Sequence, residues 1–457
     1  MTDSPSTTPL RLAYYADDFT GSTDALQVLA RAGLQTRLFL NAPTPNQLAA
    51  HGPLDAIGVA GRSRSLPTEQ LAGELHPAFE ALRNLRPRHV HYKVCSTFDS
   101  SPAVGSIGRV LEIGSDVFAG PYAPIVVGAP ALGRWCVFGN LFARYGIGSE
   151  GGVYRLDRHP AMWNHPTTPA TESDLRRQLA QQTELPVGLV DVTHLDAGPE
   201  ASDAALQSQL AAGARAVLFD AMTDEHLNRV GQLLEASAAE SAPLFSIGSS
   251  GVESALAAQW QAAAPAAASA LPPTDQPLLV IAGSCSPVTA EQIDHALQNG
   301  FAEAPLDAAA LLDERRQRQA IADCLEAARV ALTAGRPVVV HTSRGADDPR
   351  RAAVAQAMEQ RSLPPDSLAQ QIGGALGAIA LECRRAGLAG RVCVAGGDTS
   401  SYAGRALGVA SLAMLHDFWP GAPVCAAASS DPAVDGLPIV FKGGQVGGPD
   451  FFTQLAQ

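Results

Sequence analysis

The stretch Leu12-Ala13-Tyr14-Tyr15-Ala16-Asp17-Asp18-Phe19-Thr20-Gly21-Ser22-Thr23-Asp24 decides how the rest of the chain reads. Its apolar run, Leu12–Tyr15, has the length and make-up of a buried strand. Two carboxylates close the run, and from Thr23 to Arg31 the apolar residues recur at helical spacing. A strand that ends in polar residues and hands over to a helix is the building unit of a parallel sheet covered on both faces. In such sheets ligands sit beyond the carboxyl ends of the strands, which is where Asp17 and Asp18 fall.

The same unit repeats along the chain. Ala56–Ala60, Val90–Lys93, Ile125–Gly128, Val187–Val190 and Ala216–Phe219 read as strands, with Leu175–Gln182 and Asp203–Ala212 as helices among them. Gln259–Pro277 breaks the alternation, because its four prolines forbid one continuous helix and mark a linker. Leu278–Ala282, Pro337–His341, Arg391–Val394 and Pro438–Phe441 then read as strands, with Arg350–Gln360 and Gly373–Arg385 as helices. At 457 residues the chain exceeds what one core accommodates. The expectation is α/β architecture in two domains, 1–265 and 278–457, joined by a Pro/Ala-rich linker at 266–277. Each domain is expected to be a mainly parallel sheet covered by helices, with a ligand cleft between the two.

Composition narrows the function classes. Apolar residues make up 46% and charged residues 17%, a balance that suits a packed globular protein and not a disordered one. Against 45 acidic residues stand 32 Lys and Arg, and the resulting charge of −13 argues against nucleic acid and anionic membrane as partners. Seven scattered cysteines form no CxxC pair, so neither a disulfide framework nor a zinc cluster is expected. The first nine residues lack the apolar core of a signal peptide, and no run is long enough to span a bilayer. A cytoplasmic protein is expected, with a homodimer as the base-rate assembly.

Several loops carry candidate chemistry. Asp17 and Asp18 suit hydroxyl binding, Mg²⁺ contact or general-base duty, and equally suit capping of the following helix. Gly61-Arg62-Ser63-Arg64-Ser65 follows a strand with two guanidinium forks, the group best matched to a carboxylate. His89-Val90-His91-Tyr92-Lys93-Val94-Cys95-Ser96-Thr97-Phe98-Asp99-Ser100 ends a strand in Lys, hydroxyls and a carboxylate. His89 and His91 share a strand face without a third ligand nearby, and Cys95 lacks an evident base. Arg158 to Pro166 forms a proline-stiffened segment suited to a lid or pocket wall.

The C-terminal half is rich in glycine turns. Gly283-Ser284-Cys285-Ser286, Gly396-Gly397-Asp398-Thr399 and Lys442-Gly443-Gly444 each follow a strand. Small residues and hydroxyls at such places leave backbone N–H groups free for an anion. Gly373-Gly374-Ala375-Leu376-Gly377 reads instead as the opening of a helix. None of these is GxxxxGK[ST], and no GxGxxG follows the first strand, which sets aside P-loop and dinucleotide-dehydrogenase readings. His341-Thr342-Ser343-Arg344 adds a cation after another strand.

Together these segments resemble the four-carbon acid sugar kinase family. The resemblance rests on ADDFTGSTDAL, KVCSTFDSS at 93–101, GSCSPVT at 283–289, HTSRGADDPR at 341–350, GGDTSSYAGRALG at 396–408 and FKGGQVGGPDFF at 441–452. It implies an N-terminal acid-sugar domain, a C-terminal nucleotide domain, and ATP- and Mg²⁺-dependent phosphorylation of threonate, erythronate or 3-oxo-tetronate. An Asp is expected to accept the acceptor's hydroxyl proton, with Asp17 and Asp398 as the catalytic candidates beside Asp18, which the sequence does not separate. Carried across by residue, the resemblance implies substrate contacts for Asp18, Arg62, Arg64, Lys93 and Ser96. Nucleotide contacts fall to Ser284, Ser286, Gly396, Gly397, Asp398, Thr399, Gly443 and Gly444, with metal ligands unassigned. The chain departs from the family pattern in SPAVGSIGR at 101–109, where an Asn is expected before Ile107-Gly108. Two other readings are a two-domain sugar-acid binding protein without catalysis, and a transferase or lyase using Cys95 or Cys285 as nucleophile.

Overall fold

A computed structural model describes residues 10–145, 151–165, 167–239, 242–260, 271, 273–345, 348–361, 363 and 365–457. The chain divides into two compact units, Met1–Ala266 and Ala267–Gln457.

The first unit contains β1 (Leu12–Ala16), β2 (Thr36–Phe39), β3 (Ala56–Ala60), β4 (His89–Lys93), β5 (Ala123–Val126), β6 (Arg134–Val137), β7 (Asn140–Arg144), β8 (Val153–Arg155), β9 (Val187–Val190), β10 (Ala216–Phe219) and β11 (Leu244–Gly248). Its main sheet runs β2-β3-β1-β4-β11-β5-β10-β9, and all of its pairings are parallel. β1, β3, β4 and β11 are buried along their whole length, as a sheet covered on both faces requires. The chain places β2 and β3 on one side of β1 and then crosses to β4 on the other. That reversal opens a crevice at the carboxyl end of β1. Register aligns the strand ends there, with Ala16 opposite Ala60 and Lys93, and Gly248 opposite Lys93.

Two strands of this sheet, β2 and β11, were not legible in the sequence, and neither was the antiparallel sheet β6-β7-β8. β6 and β7 turn through Phe138 and Gly139, both with positive φ, the two-residue geometry whose twist suits a hairpin. Asp220, buried after β10, ties this turn down by accepting the N–H groups of Phe138 at 2.5 Å and Gly139 at 2.9 Å, together with that of Val192 at 3.2 Å.

The second unit contains β12 (Leu278–Ala282), β13 (Ala302–Pro305), β14 (Val338–His341), β15 (Arg391–Ala395), β16 (Ser411–Trp419), β17 (Ala422–Ala428) and β18 (Pro438–Lys442). They lie in the order β13-β14-β12-β15-β18-β17-β16. The pairings are parallel from β13 to β18 and antiparallel between β18, β17 and β16. Here the order reverses about β12, with β14 on one side and β15 on the other. Ala282 stands opposite His341 and Ala395, and Ala395 opposite Lys442, so the loops that follow leave from one edge.

The Gly373–Gly377 segment does not open a helix. It lies inside the helix Pro365–Arg385, which packs against the helix Asp398–Leu407. A Cβ on Gly373 would stand 2.6 Å from the carbonyl oxygen of Thr399, and one on Gly377 2.4 Å from that of Ala403. These glycines permit close approach of two helices, a use that sequence alone does not separate from a start signal.

Candidate active site

At the crevice of the first unit, Asp17 is only 2% exposed and meets the side chain of Arg64 head on. Nη2 of Arg64 donates to Oδ1 at 2.7 Å and Nε to Oδ2 at 3.0 Å, a two-pronged ion pair. A third bond joins Nη1 to Oδ2 of Asp18 at 2.8 Å. Arg64 reaches both because a tight turn, Ser63–Ser65, follows β3 at once, and its own N–H donates to the carbonyl of Asp17 at 3.1 Å. Asp18 also caps the helix Phe19–Arg31, its Oδ1 accepting the N–H of Gly21 at 2.7 Å. Burial pushes the Asp17 carboxyl up while Arg64 pulls it down, leaving it at about 6.

Lys93 closes the other flank. It is fully buried, with Nζ 3.2 Å from Oδ2 of Asp24 and donating to the carbonyl of Val94 at 3.1 Å. Gly21 lies beneath both cations. A Cβ there would stand 2.7 Å from Oδ1 of Asp18, 3.6 Å from Nζ of Lys93 and 3.9 Å from Nη2 of Arg64. Any side chain at this position would intrude on the charged cluster, which explains a bare glycine.

Two acidic members of the cluster escaped the sequence reading. Asp24 had a visible signal, since it follows Gly21 by three residues and shares its helical face. Glu253 had none, because it follows the unread strand β11. Its carboxyl is fully buried, with both oxygens lacking a hydrogen-bond partner, and Oε1 lies 3.6 Å from Nε2 of His91. Burial pushes Glu253 up to about 8 against the pull of Lys93, and burial followed by Lys93 pushes His91 down to about 3. Both groups are therefore neutral at pH 7.

The remaining N-terminal candidates take other partners. Arg62 pairs with Glu74 at 3.2 Å and is half exposed, so it stands outside the cluster. Ser96 is buried beside Cys95, whose thiol burial and then Asp99 push up to about 11. A thiol held that high is not a nucleophile at neutral pH. His89 pairs with Glu235 at 2.8 Å, and among the described residues no His, Cys, Asp and Glu cluster could hold a metal. His159 packs between Tyr145 and Tyr154, while Pro166 lies outside the described residues.

In the second unit the three glycine turns converge. Thr399 sits against two of them: a Cβ on Gly283 would meet its Oγ1 at 2.7 Å, and one on Gly396 at 2.3 Å. The third turn closes over Ser284, whose Oγ would stand 2.6 Å from a Cβ on Gly444. Ser286 caps the helix Pro287–Gln298 by accepting the N–H of Val288 at 3.2 Å, and Thr289 of that helix donates to the carbonyl of Gly444 at 3.0 Å. Ser343, after β14, donates to the carbonyl of Ser284 at 3.4 Å. Arg344 is engaged with Asp294 and Glu303.

This cradle has the chemistry of an anion site. The helix Asp398–Leu407 starts at Gly397 with no side-chain cap, leaving its first N–H groups without side-chain acceptors. Within the same turn the Thr399 hydroxyl is buried and has no hydrogen-bond partner. An orphaned donor among bare glycines fits a phosphate oxygen. Asp398 opens the helix, and its side chain lies outside the described residues.

Comparison with known proteins matches both units. A sugar-binding N-terminal domain model covers residues 12–256, and a nucleotide-binding C-terminal domain model covers residues 279–452. The chain is 41% identical over 456 residues to 3-oxo-isoapionate kinase of Paraburkholderia graminis, covering 98% of this chain and 94% of the relative. It is 32% identical to 3-oxo-tetronate kinase of Burkholderia multivorans, covering 97% and 96%. The crystal structure of a Salmonella typhimurium LT2 protein superposes with a TM-score of 0.74 at 25% identity, covering 98% of this chain and 99% of that one.

Proposed function

This chain belongs to the four-carbon acid sugar kinase family and is an ATP-dependent sugar-acid kinase, and we propose that its acceptor is a 3-oxo sugar acid of the isoapionate or tetronate type. The observation that carries this reading is the 41% identity to the 3-oxo-isoapionate kinase along nearly the whole chain, against 32% to the 3-oxo-tetronate kinase. The isoapionate-type acid is accordingly the preferred acceptor.

In this reading Asp17 takes the proton of the acceptor hydroxyl. A carboxyl poised at about 6 is ionised at neutral pH yet basic enough to accept a proton in the transition state. Arg64 keeps it ionised and fixes its direction. With Glu253 neutral, the cluster holds Asp17, Asp18 and Asp24 against Arg64 and Lys93, so carboxylates still outnumber cations. Asp18 therefore suits substrate hydroxyls, while the substrate carboxylate relies on Ser96 and on the field of Arg64 and Lys93. Gly283–Ser286, Gly396–Thr399 and Gly443–Gly444 hold the ATP phosphates, with the Thr399 hydroxyl donating to one of them. Mg²⁺ bound with ATP would supply charge neutralisation on the transferred phosphoryl group, and Asp398, which opens the helix at this cradle, is the residue that would hold it. The seven free cysteines support a cytoplasmic location, and no described helix is long and apolar enough to cross a membrane.

A coupled ADP-release assay tests the acceptor. The 3-oxo acids should exceed threonate and erythronate in kcat/KM by about 10²-fold, the scale of a site whose polar groups are matched to one substrate. Equal or better turnover of the unoxidised acids would overturn the proposal.

A further inference from the structure

Lys442 ends β18 and is fully buried. Its Nζ lies 3.4 Å from Oγ1 of Thr289, and 5.7 and 5.8 Å from the ring centroids of Phe451 and Phe452. Among the described side chains, the elements packed around it supply no carboxylate. Helix Pro287–Gln298 contributes Thr289, helix Phe451–Leu455 contributes the two rings, and β15 contributes Cys393, a thiol that burial pushes up to about 12. A buried ammonium without a counter-ion is costly, and natural interiors avoid it unless something else neutralises it.

The glycine turns adjoin Lys442 through its backbone and, from the ammonium, through Thr289. The carbonyl of Lys442 accepts the N–H of Gly396 at 3.0 Å, Gly443 and Gly444 follow it directly, and Thr289 bridges from Nζ to the carbonyl of Gly444. The first turn of helix Pro287–Gln298 adds its own positive end at the same place. We infer that the missing counter-ion of Lys442 is the phosphate chain of the nucleotide, which makes Lys442 a positioning residue holding unpaired positive charge beneath the cradle. This rests on the reading that the glycine turns bind ATP.

A proton linkage follows. Burial pushes the Lys442 ammonium down to about 8 from an ordinary 10.5, with Cys393 opposing weakly. Bound phosphate favours the charged form, so nucleotide binding takes up a proton at and above pH 8 and none well below it. Affinity therefore falls as pH rises through about 8. For the free fold the sign is opposite: the cost of the buried charge is present below about 8 and is relieved as pH climbs toward 10.5.

The test is calorimetric titration of ADP into the full-length protein and its K442M and K442Q variants, at about pH 6.5 and 8.5, in two buffers of different ionisation enthalpy. Both pH values sit at or above the pKa of roughly 6 expected for a terminal phosphate, and the higher one lies well clear of it. The wild type should take up about three quarters of a proton at the higher pH, beyond any uptake at the lower one. Both variants should lose that uptake and bind ADP about 10-fold or more weakly, while their ligand-free forms melt at a higher temperature than wild type. K442Q keeps a hydrogen-bonding group but no charge, so it separates charge from hydrogen bonding. Wild-type affinity and proton uptake in both variants would overturn the inference. Absence of any ADP binding by the wild type would instead sink the reading of the glycine turns, and this inference with it.

Discussion

The carboxyl of Glu253 lies 3.6 Å from Nε2 of His91, and neither of the two facing atoms has a hydrogen-bond partner. Nδ1 of His91 faces the Ser246 carbonyl at 3.3 Å and its hydroxyl at 3.2 Å, and that hydroxyl donates to the carbonyl of Val90, so a proton on Nδ1 meets two acceptors and Nε2 is left as an acceptor. A protonated Glu253 is the complementary donor.

The first prediction concerns stability against pH. Glu253 is held at about 8 in the fold and 4.5 outside it, so the unfolded chain releases this proton first. The group therefore costs nothing below about 4.5, and its penalty grows as pH rises toward 8. E253Q, an uncharged donor of the same shape, should melt close to wild type at pH 5 and clearly above it at pH 8. Parallel thermal melts at the two pH values decide the matter, and identical curves would refute a protonated Glu253.

Asp17 should govern the acidic limb of activity. As a base held at about 6, it is inactivated by protonation, so kcat/KM should fall as pH drops below that value. D17N should lower kcat about 10²-fold or more, with its melting temperature retained within a few degrees. A D17N enzyme that keeps normal turnover removes Asp17 from the chemistry.

Thr399 offers a cleaner separation of binding from folding. T399V removes a hydroxyl that has no partner in the free protein and keeps its shape. The ligand-free protein should be as stable as wild type or slightly more so, while KM for ATP rises about 10-fold. An unchanged KM would mean that the hydroxyl does not meet the nucleotide.

Cysteine reactivity gives a footprint of the same cradle. Cys285, between Ser284 and Ser286, is exposed, whereas Cys95 is partly covered and the other five are buried. A maleimide should label Cys285 first, and saturating ATP should slow that labelling. Preferential labelling of Cys95, whose thiol is held at about 11, would contradict the electrostatics described for its loop.

Much of the framework was legible because fully buried strands are short apolar runs, and Ala56–Ala60, Ala216–Phe219 and Leu278–Ala282 stand where their composition places them. β11 was missed because its Ser246 and Gly248 dilute the apolar signal, and Glu253 was lost with it. The hairpin strands β6 and β7 alternate between buried and half-exposed positions, a weaker pattern that resembles a loop. Side-chain direction was the other limit. Arg62 and Arg64 look equivalent in sequence, but the turn after β3 sends one to Glu74 and the other to Asp17 and Asp18.

The way Asp220 fastens the β6–β7 turn has an evolutionary consequence. One carboxylate grips two backbone N–H groups of the turn and ties them to a third, that of Val192 outside it, through bonds that do not depend on the side chains at those positions. Backbone bonds are indifferent to sequence, so residues of the hairpin can be rewritten while its attachment survives. The hairpin can therefore change its side chains without disturbing the parallel sheet or its Asp17–Arg64 brace.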